Sequence, residues 1–207
     1  MLTVGKDAAG VGEMLKQGML CCPDCAERLA PWGWARERVI FGRGRAGRMV
    51  RPRRSRCTGC KVTHVLLPAD LLVRRADDAA VIGQALASAA RGRGHRRISA
   101  ALGISPDTVR GWLRRFAAAA GRVREFFTRL QVALSADPVP LAPAGSAVAD
   151  AVVAVAAAAD AAAKRWPGIR AVPAWELAAA VTSGTLMAPV ILFRPASTNS
   201  PLPAIGN

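Results

Sequence analysis

The sequence predicts a mainly α protein with a small β region near its N-terminus. Two Cys-x-x-Cys pairs flank strand-like residues, three helical segments follow them, and alanine-rich helices come last. The 207 residues leave room for one ordinary domain or for two or three small ones. Hydrophobic residues make up 52% of the chain, but many are alanines, which bury little area and do not favour one large core.

Residues 1–20 are predicted to be a lead-in, with a short helix (GVGEMLKQ) before a strand. Within residues 21–73, the segments PWGW, RVIF and MVRP are strand candidates. The segment GRGRAGR at 42–48 is the predicted loop between two of them. Its arginines are expected to be solvated and to neutralise phosphate.

The rest of the chain is predicted to be helical apart from one linker and the C-terminal tail. Residues 74–134 are helical, with breaks at 91–94 (RGRG) and 103–105 (GIS). The segments that follow are a linker at 135–145, a helical region at 146–188 split at 166–168, and a flexible tail at 189–207.

Positive charge is concentrated in the first two thirds of the chain. Residues 1–70 carry 13 basic and 6 acidic side chains, residues 71–135 carry 12 and 4, and residues 136–207 carry 4 of each. A GC-rich coding sequence would explain the preference for arginine over lysine, but not an excess confined to one part of the chain. We therefore expect a polyanionic partner, most simply nucleic acid, to contact the basic part.

Neither a signal peptide nor a membrane span is predicted. The N-terminus lacks an apolar stretch behind a basic start, and the most apolar stretch, residues 147–163, contains Asp150 and Asp160. We expect a cytoplasmic, nucleoid-associated protein whose thiols stay reduced. An odd number of cysteines in that compartment favours metal binding over disulfides.

Cys22 and Cys25 form one Cys-x-x-Cys pair, and Cys57 and Cys60 form the other. Zinc takes four soft or borderline ligands at tetrahedral corners, and a tight turn presents two thiolates to one ion. The 31 residues between the pairs exceed the usual spacing of roughly 15–20, which an intervening hairpin or small sheet would explain. We therefore predict a zinc ribbon, in which structural Zn²⁺ folds a segment with little apolar area of its own.

Two other uses of the cysteines are weaker alternatives. A redox pair would need a βαβ context, which is missing, whereas four cysteines can also hold an iron–sulfur cluster. Cys21 is expected to point away from the metal and to pack as a small apolar residue. His64 is expected to pack or cap nearby and not to bind the ion.

The stretch HRRISAALGISPDTVRGWLRRF, residues 95–116, predicts two helices joined by a tight turn. Gly103 suits a helix C-terminus with positive φ, and Ser105 followed by Pro106 suits the start of the next helix. Apolar residues recur at helical spacing along that second helix: Val109, Trp112, Leu113 and Phe116. With an upstream helix over 77–90, these segments predict a three-helix helix-turn-helix domain.

The second helix of such a motif enters the major groove of double-stranded DNA with its N-terminal part. Arg110 and Arg114 are one turn apart and are predicted to bind guanine bidentately, whereas Arg115 is predicted to contact phosphate. Gly111 would let the helix backbone approach DNA closely. The predicted DNA-binding set is Ser105, Asp107, Thr108, Arg110, Arg114, Arg115, Arg96 and Arg97.

The segment ISAALGISPDTVRGWLRRF resembles the homeodomain-like helix-turn-helix of bacterial transposases and their associated proteins. CCPDC together with RRSRCTGCKVTHVLLP resembles the zinc-ribbon heads placed before such domains. Over about residues 18–117, the chain thus resembles zinc-ribbon plus helix-turn-helix proteins of GC-rich bacteria that are often associated with mobile elements. The resemblance implies DNA binding in a transposition-associated or transcriptional regulatory role, and it supplies no active site.

No enzyme is predicted, because the acidic residues after position 117 lie on helix-like or linker sequence, whereas two-metal chemistry needs converging carboxylates. The C-terminal helices carry the stripe Val148, Val152 and Val155. They either pack on the helix-turn-helix or mediate homodimerisation or docking to another protein, such as a transposase. Two alternative functions follow: an adaptor that recruits a recombinase, and a truncated transposase remnant.

Overall fold

The structure is a computed structural model that describes residues 1–188. Strands near the N-terminus are followed by helices, so the mainly α fold with a small β region is confirmed at that level. The strands are β1 Leu2–Val4, β2 Leu29–Trp34, β3 Arg38–Phe41, β4 Gly47–Val50, β5 Arg53–Cys57 and β6 Thr63–Pro68. The helices are α1 Ala8–Lys16, α2 Ala79–Ala90, α3 His95–Leu102, α4 Pro106–Leu134, α5 Ala147–Arg165 and α6 Ala174–Val181.

Four strands form a small mixed sheet in the order β1-β6-β5-β2. β1 runs parallel to β6, with Leu2 opposite Leu66, and the other neighbours are antiparallel. β3 and β4 form a separate hairpin. The predicted strand candidates PWGW and RVIF lie in β2 and β3, and MVRP overlaps the end of β4.

The N-terminal lead-in differs from the prediction, because a strand precedes its helix. Asp7 caps α1 by accepting hydrogen bonds from the N–H groups of Ala9 and Gly10, each at 3.0 Å. β1 is only three residues long, which is too short for a recognisable alternation. It exists through pairing with β6, more than 60 residues away, a partnership that local sequence does not reveal.

The helices form the largest apolar core of the described residues, and the predicted breaks at 91–94 and 103–105 are confirmed. α5 buries its alanine face, including Ala151 and Ala154, in this core against α4. Of the two predicted alternatives, the C-terminal helices therefore pack on the central helices. Homodimerisation or docking to another protein stays a prediction. No helix within residues 1–188 is long and apolar enough to cross a membrane.

The chain leaves the α-helical conformation between α4 and α5 and again after α5. Residues 135–146 contain neither helix nor strand, and a 3-10 turn at Pro167–Ile169 follows α5 directly. The predicted flexible tail at 189–207 lies outside the described residues.

The β3–β4 hairpin is attached to the chain that leads into α2. The N–H of Phe41 donates to the carbonyl of Ala76 at 2.8 Å, and the N–H of Asp78 donates to the carbonyl of Phe41 at 3.1 Å. Arg45, in the loop between the two strands, pairs with the buried carboxylate of Asp77 at 2.5 Å. Burial raises the pKa of Asp77 above its usual range, although Arg45 opposes that shift. The ion pair therefore joins the hairpin to the helical core.

Replacing Arg45 by alanine is expected to lower the free energy of unfolding by about 1–2 kcal/mol at neutral pH. Without its partner the pKa of the Asp77 carboxyl rises further, and below that pKa the neutral group needs no partner. The loss should therefore be smallest in acid and should grow as the pH rises through the raised pKa. Urea unfolding of both proteins over a pH series measures the difference. Arg43→Ala, in the same loop, is the matched control, and an equal loss in both variants would contradict this role for the ion pair.

Candidate metal centre and nucleic-acid interface

Four cysteines from two turns meet at one end of the mixed sheet. Their Sγ atoms all lie within 4.8 Å of one another: Cys22, Cys25, Cys57 and Cys60. Two contacts join the two turns, with 3.7 Å between the sulfurs of Cys22 and Cys60 and 3.3 Å between those of Cys25 and Cys57. Zinc–sulfur bonds of about 2.3 Å at tetrahedral angles place sulfurs about 3.8 Å apart. The cluster thus fits a single four-coordinate ion.

The two cysteine turns have the same backbone design. The N–H of each first cysteine donates to the carbonyl five residues later: Cys22 to Glu27 at 2.7 Å and Cys57 to Val62 at 2.9 Å. The residue after each second cysteine has positive φ: Ala26 at 61° and Lys61 at 63°. A positive φ is uncommon for residues other than glycine. Its occurrence at both equivalent positions indicates that each turn directs the Sγ atoms of its two cysteines toward a common centre.

The thiols of the cluster influence one another strongly. Burial raises the pKa of Cys57, but hydrogen bonds from the Cys25 thiol and from the backbone of Cys60 and Gly59 outweigh it and lower the pKa to about 7. At Cys60 a backbone hydrogen bond from Val62 lowers the pKa, but desolvation and the neighbouring thiols outweigh it and raise the pKa to about 12. Four thiolates this close repel one another, so a cation is what would let all four ionise together.

His64 and Cys21 border the cluster without joining the four. His64 is 2% exposed, and its Nε2 lies 3.5 Å from the sulfur of Cys22. His64 is therefore packed in the interior, as predicted. From there it can hydrogen-bond to the sulfur of Cys22 without binding the ion itself. Cys22, Asp24 and His64 also form a second group of side chains close enough together to hold a metal ion. Cys21 lies outside both groups, and its backbone forms an isolated bridge with Arg28.

The second candidate site begins at the turn between α3 and α4. Gly103 ends α3 with φ 64° and ψ 33°, the left-handed conformation predicted for it. Ser105 caps α4 by accepting a hydrogen bond from the N–H of Thr108 at 3.3 Å, and Pro106 takes the first helical position. Along α4, Val109, Trp112 and Phe116 are buried. The two helices and their tight turn are thus formed as the sequence predicts.

Sequence reasoning missed Ser99, a buried residue of α3 that hydrogen-bonds across this turn to the backbone of Ile104. Ser99 is buried, and its hydroxyl donates to the carbonyl of Ile104 at 2.5 Å. The carbonyl of Ser99 accepts from the N–H of Ile104 at 3.2 Å. A serine four residues before the glycine of a helix C-terminus was the available signal, since serine and threonine often bond to nearby backbone.

The predicted DNA-binding residues all lie on the surface, at the starts of α3 and α4. Arg96 and Arg97 are exposed on the first turn of α3. On the first turns of α4 the exposed positions are Ser105, Asp107, Thr108, Arg110, Arg114 and Arg115. Arg110 and Asp107 approach to 3.5 Å but are 69% and 89% exposed, so their pairing costs little to break.

Gly111 lies beside the side chain of Arg115 on the same helix. The guanidinium of Arg115 donates to the carbonyl of Gly111 at 3.1 Å, and a Cβ at position 111 would lie 3.0 Å from it. Arg115 thus covers the backbone that Gly111 was expected to expose. A partner would reach this backbone only after the arginine side chain moved away.

The tip of the β3–β4 hairpin lies beside the turn between α3 and α4. A Cβ built on Gly103 would lie 3.7 Å from the side chain of Arg45. Arg43 is exposed in the same loop, which is closed by a 3-10 turn at Arg43–Arg45. The hairpin therefore brings exposed positive charge beside the turn between α3 and α4, although it lies some 60 residues earlier in the sequence.

Residues 22–116 match a protein family described as a domain of unknown function (DUF6431). The match begins at the first cysteine of the cluster and ends at Phe116, so it includes both candidate sites. Neither the curated proteins nor the solved structures include a significant match to this chain. The four-cysteine cluster and the basic first part of α4 thus both lie within the one segment that matches this family model.

Proposed function

We propose that this protein binds double-stranded DNA through the start of α4 and that structural Zn²⁺ folds its N-terminal sheet. The observation that carries the proposal is the exposed, basic first part of α4, which follows a tight left-handed turn. In a helix-turn-helix this part of the second helix enters the major groove. Cys22, Cys25, Cys57 and Cys60 would hold the ion, whose closed shell of four thiolates gives it a structural role.

Charge supports the same assignment. Residues 91–115 contain seven arginines and one acidic residue, Asp107. Because Asp107 is 89% exposed, Arg110 can leave it for a base edge or a phosphate at little cost. Arg110 and Arg114 are the proposed readers of guanine, and Arg115, Arg96 and Arg97 the proposed phosphate contacts.

The proposed role, in transposition or transcription, would need DNA binding and no catalytic activity of the protein's own. A protein that occupies a specific DNA site acts on transposition or transcription by recruiting or excluding other proteins there. Selection of bound sequences from a random DNA pool, with zinc-loaded protein, identifies the site. Absence of any enriched sequence would contradict specific binding.

Replacing both Arg110 and Arg114 by alanine is expected to weaken binding to the selected duplex about 25-fold or more. Each bidentate contact to guanine contributes about 1–3 kcal/mol of discrimination. Binding to unrelated duplex should weaken far less, because phosphate contacts elsewhere remain. Titration of both duplexes at several salt concentrations measures the two effects.

The matched control is the double variant Arg122→Ala and Arg129→Ala. Both residues are exposed on α4, more than two turns beyond Arg114, and removing them lowers the net charge equally. This variant should keep its preference for the selected sequence. Equal losses for selected and unrelated DNA in the Arg110 and Arg114 variant would contradict base readout by α4.

A further inference from the structure

Two tryptophans lie half exposed on the edge strand of the mixed sheet. Trp32 is 50% exposed and Trp34 is 43% exposed, both on β2, which is the last strand of the sheet among residues 1–188. Gly33 separates them with φ 80°, and the register with β5 shifts between Pro31 and Trp34. Such a bulge re-aims side chains at a sheet edge. Tryptophan carries large apolar area, so two exposed indoles on one strand indicate a contact surface.

Arginines of and beside the neighbouring strand lie over both rings. The guanidinium of Arg53 is 4.0 Å and that of Arg51 is 5.6 Å from the centre of the Trp34 ring. The guanidinium of Arg56 is 4.7 Å from the centre of the Trp32 ring. Stacked guanidinium groups hold the indoles in fixed orientations. Because each ring remains about half exposed, surface is left for a second planar group.

The positive charge of this surface is not neutralised. Arg51, Arg53, Arg54 and Arg56 form no ion pair with any residue in the described part of the chain, 1–188. They occupy four of six consecutive positions along and beside β5. The register places Trp32 and Arg56 on one face of the β2–β5 pair and Trp34 and Arg53 on the other. The sheet edge therefore offers an aromatic ring with unpaired cations on each face, around which an extended polyanion can lie.

This combination selects a polyanion whose planar groups are free to stack. The bases of a duplex already stack on one another, whereas those of a single strand can lie against an aromatic ring. We propose that β2 and β5 form a binding site for single-stranded DNA, with bases stacked on Trp32 and Trp34 and phosphates on the arginines. The site goes beyond the proposed duplex contact of α4 and uses other residues.

The test uses the full zinc-loaded chain and a fluorescent oligothymidine of about 12 nucleotides, whose binding is followed by anisotropy. Base stacking contributes about 1–3 kcal/mol per base, at least about fivefold in affinity for each ring. Trp32→Ala with Trp34→Ala should therefore weaken binding about 25-fold or more. Trp32→Phe with Trp34→Phe should stay within about threefold of the wild type, because phenylalanine still stacks.

Two controls separate this site from others. Trp166, whose ring centre lies 5.8 Å from the guanidinium of Arg165, sits at the end of α5, and Trp166→Ala should leave oligothymidine binding unchanged. The Arg110 and Arg114 alanine variant should also bind oligothymidine with wild-type affinity. The Trp32 and Trp34 alanine variant should in turn keep its affinity for the selected duplex. If the protein did not bind duplex DNA through α4, the oligothymidine measurements would still test the single-strand site.

Unchanged oligothymidine binding by the Trp32 and Trp34 alanine variant would overturn the proposal. An equal loss of duplex binding in that variant, or an equal loss of oligothymidine binding in the Arg110 and Arg114 variant, would overturn a separate single-strand site. Binding of oligouridine at least tenfold tighter than oligothymidine would overturn the assignment to DNA. Unchanged circular dichroism spectra of all variants assign the losses to binding.

Discussion

Replacing Cys57 by serine is expected to abolish zinc binding and to unfold the N-terminal sheet while the helices remain folded. Cys57 is 1% exposed, and it belongs both to the four-cysteine cluster and to the small apolar core of the sheet. Apparent binding free energies of structural zinc reach about 10–16 kcal/mol, as large as the whole stability of a typical small domain. Loss of one ligand removes most of that energy.

The helices should survive because their core is separate. The helical core is built from residues of α2 to α6 and their connections and contains no cysteine, whereas the core around the sheet contains Cys22 and Cys57. The variant should therefore keep most of its helical circular dichroism. Trypsin should cleave it rapidly at Arg53, Arg54 and Arg56, which are protected in a folded β5. Wild-type protein treated with a strong chelator should behave in the same way.

The matched control is Cys21→Ser, one residue from a predicted ligand but outside the cluster. It should retain about one zinc ion per chain by elemental analysis, with the wild-type pattern of cleavage. A visible absorption band and bound iron would instead identify an iron–sulfur cluster. If metal-free wild-type protein kept the sheet resistant to trypsin, the metal would have no structural role.

The parts of the fold that the sequence predicts depend on interactions within a few residues. The turn at Gly103, the cap at Ser105 and the apolar spacing of α4 are local, so each could be recognised from residue type and position. The cysteine pairs were recognisable because metal sites of this kind use pairs of ligands at a short spacing within one turn. Even so, the positive φ of Ala26 and Lys61 was hidden, since neither residue favours that conformation.

The remaining features depend on residues that are far apart in sequence. The pairing of β1 with β6 and the Arg45–Asp77 ion pair join segments that carry no mutual signal. The stacking of Arg53 on Trp34 likewise depends on the register of β2 and β5. Sequence alone therefore predicted the helix that is proposed to bind duplex DNA, but not the aromatic surface proposed for single strands.

Replacing Gly83 by alanine is expected to destabilise the helical core by about 3 kcal/mol, although alanine favours helix more than glycine does. Gly83 is buried on α2, and a Cβ there would overlap the Cγ, Cδ1 and Cδ2 atoms of Trp175 on α6. The indole has little room to retreat, because its ring packs edge-on against Phe116 with 6.1 Å between centroids. Overpacking of this kind typically costs about 1–3 kcal/mol, and more where the neighbours cannot move.

Urea unfolding followed by helical circular dichroism measures this loss, and Gly121→Ala is the matched control. Gly121 is exposed on α4, and a Cβ there would meet no atom within 4 Å. The control should therefore gain about 0.5–1 kcal/mol from helix propensity alone. In a Trp175→Ala background the overlap is absent, so Gly83→Ala should cost far less there than in the wild type. Equal costs in both backgrounds would contradict the packing of α2 against α6 through this glycine.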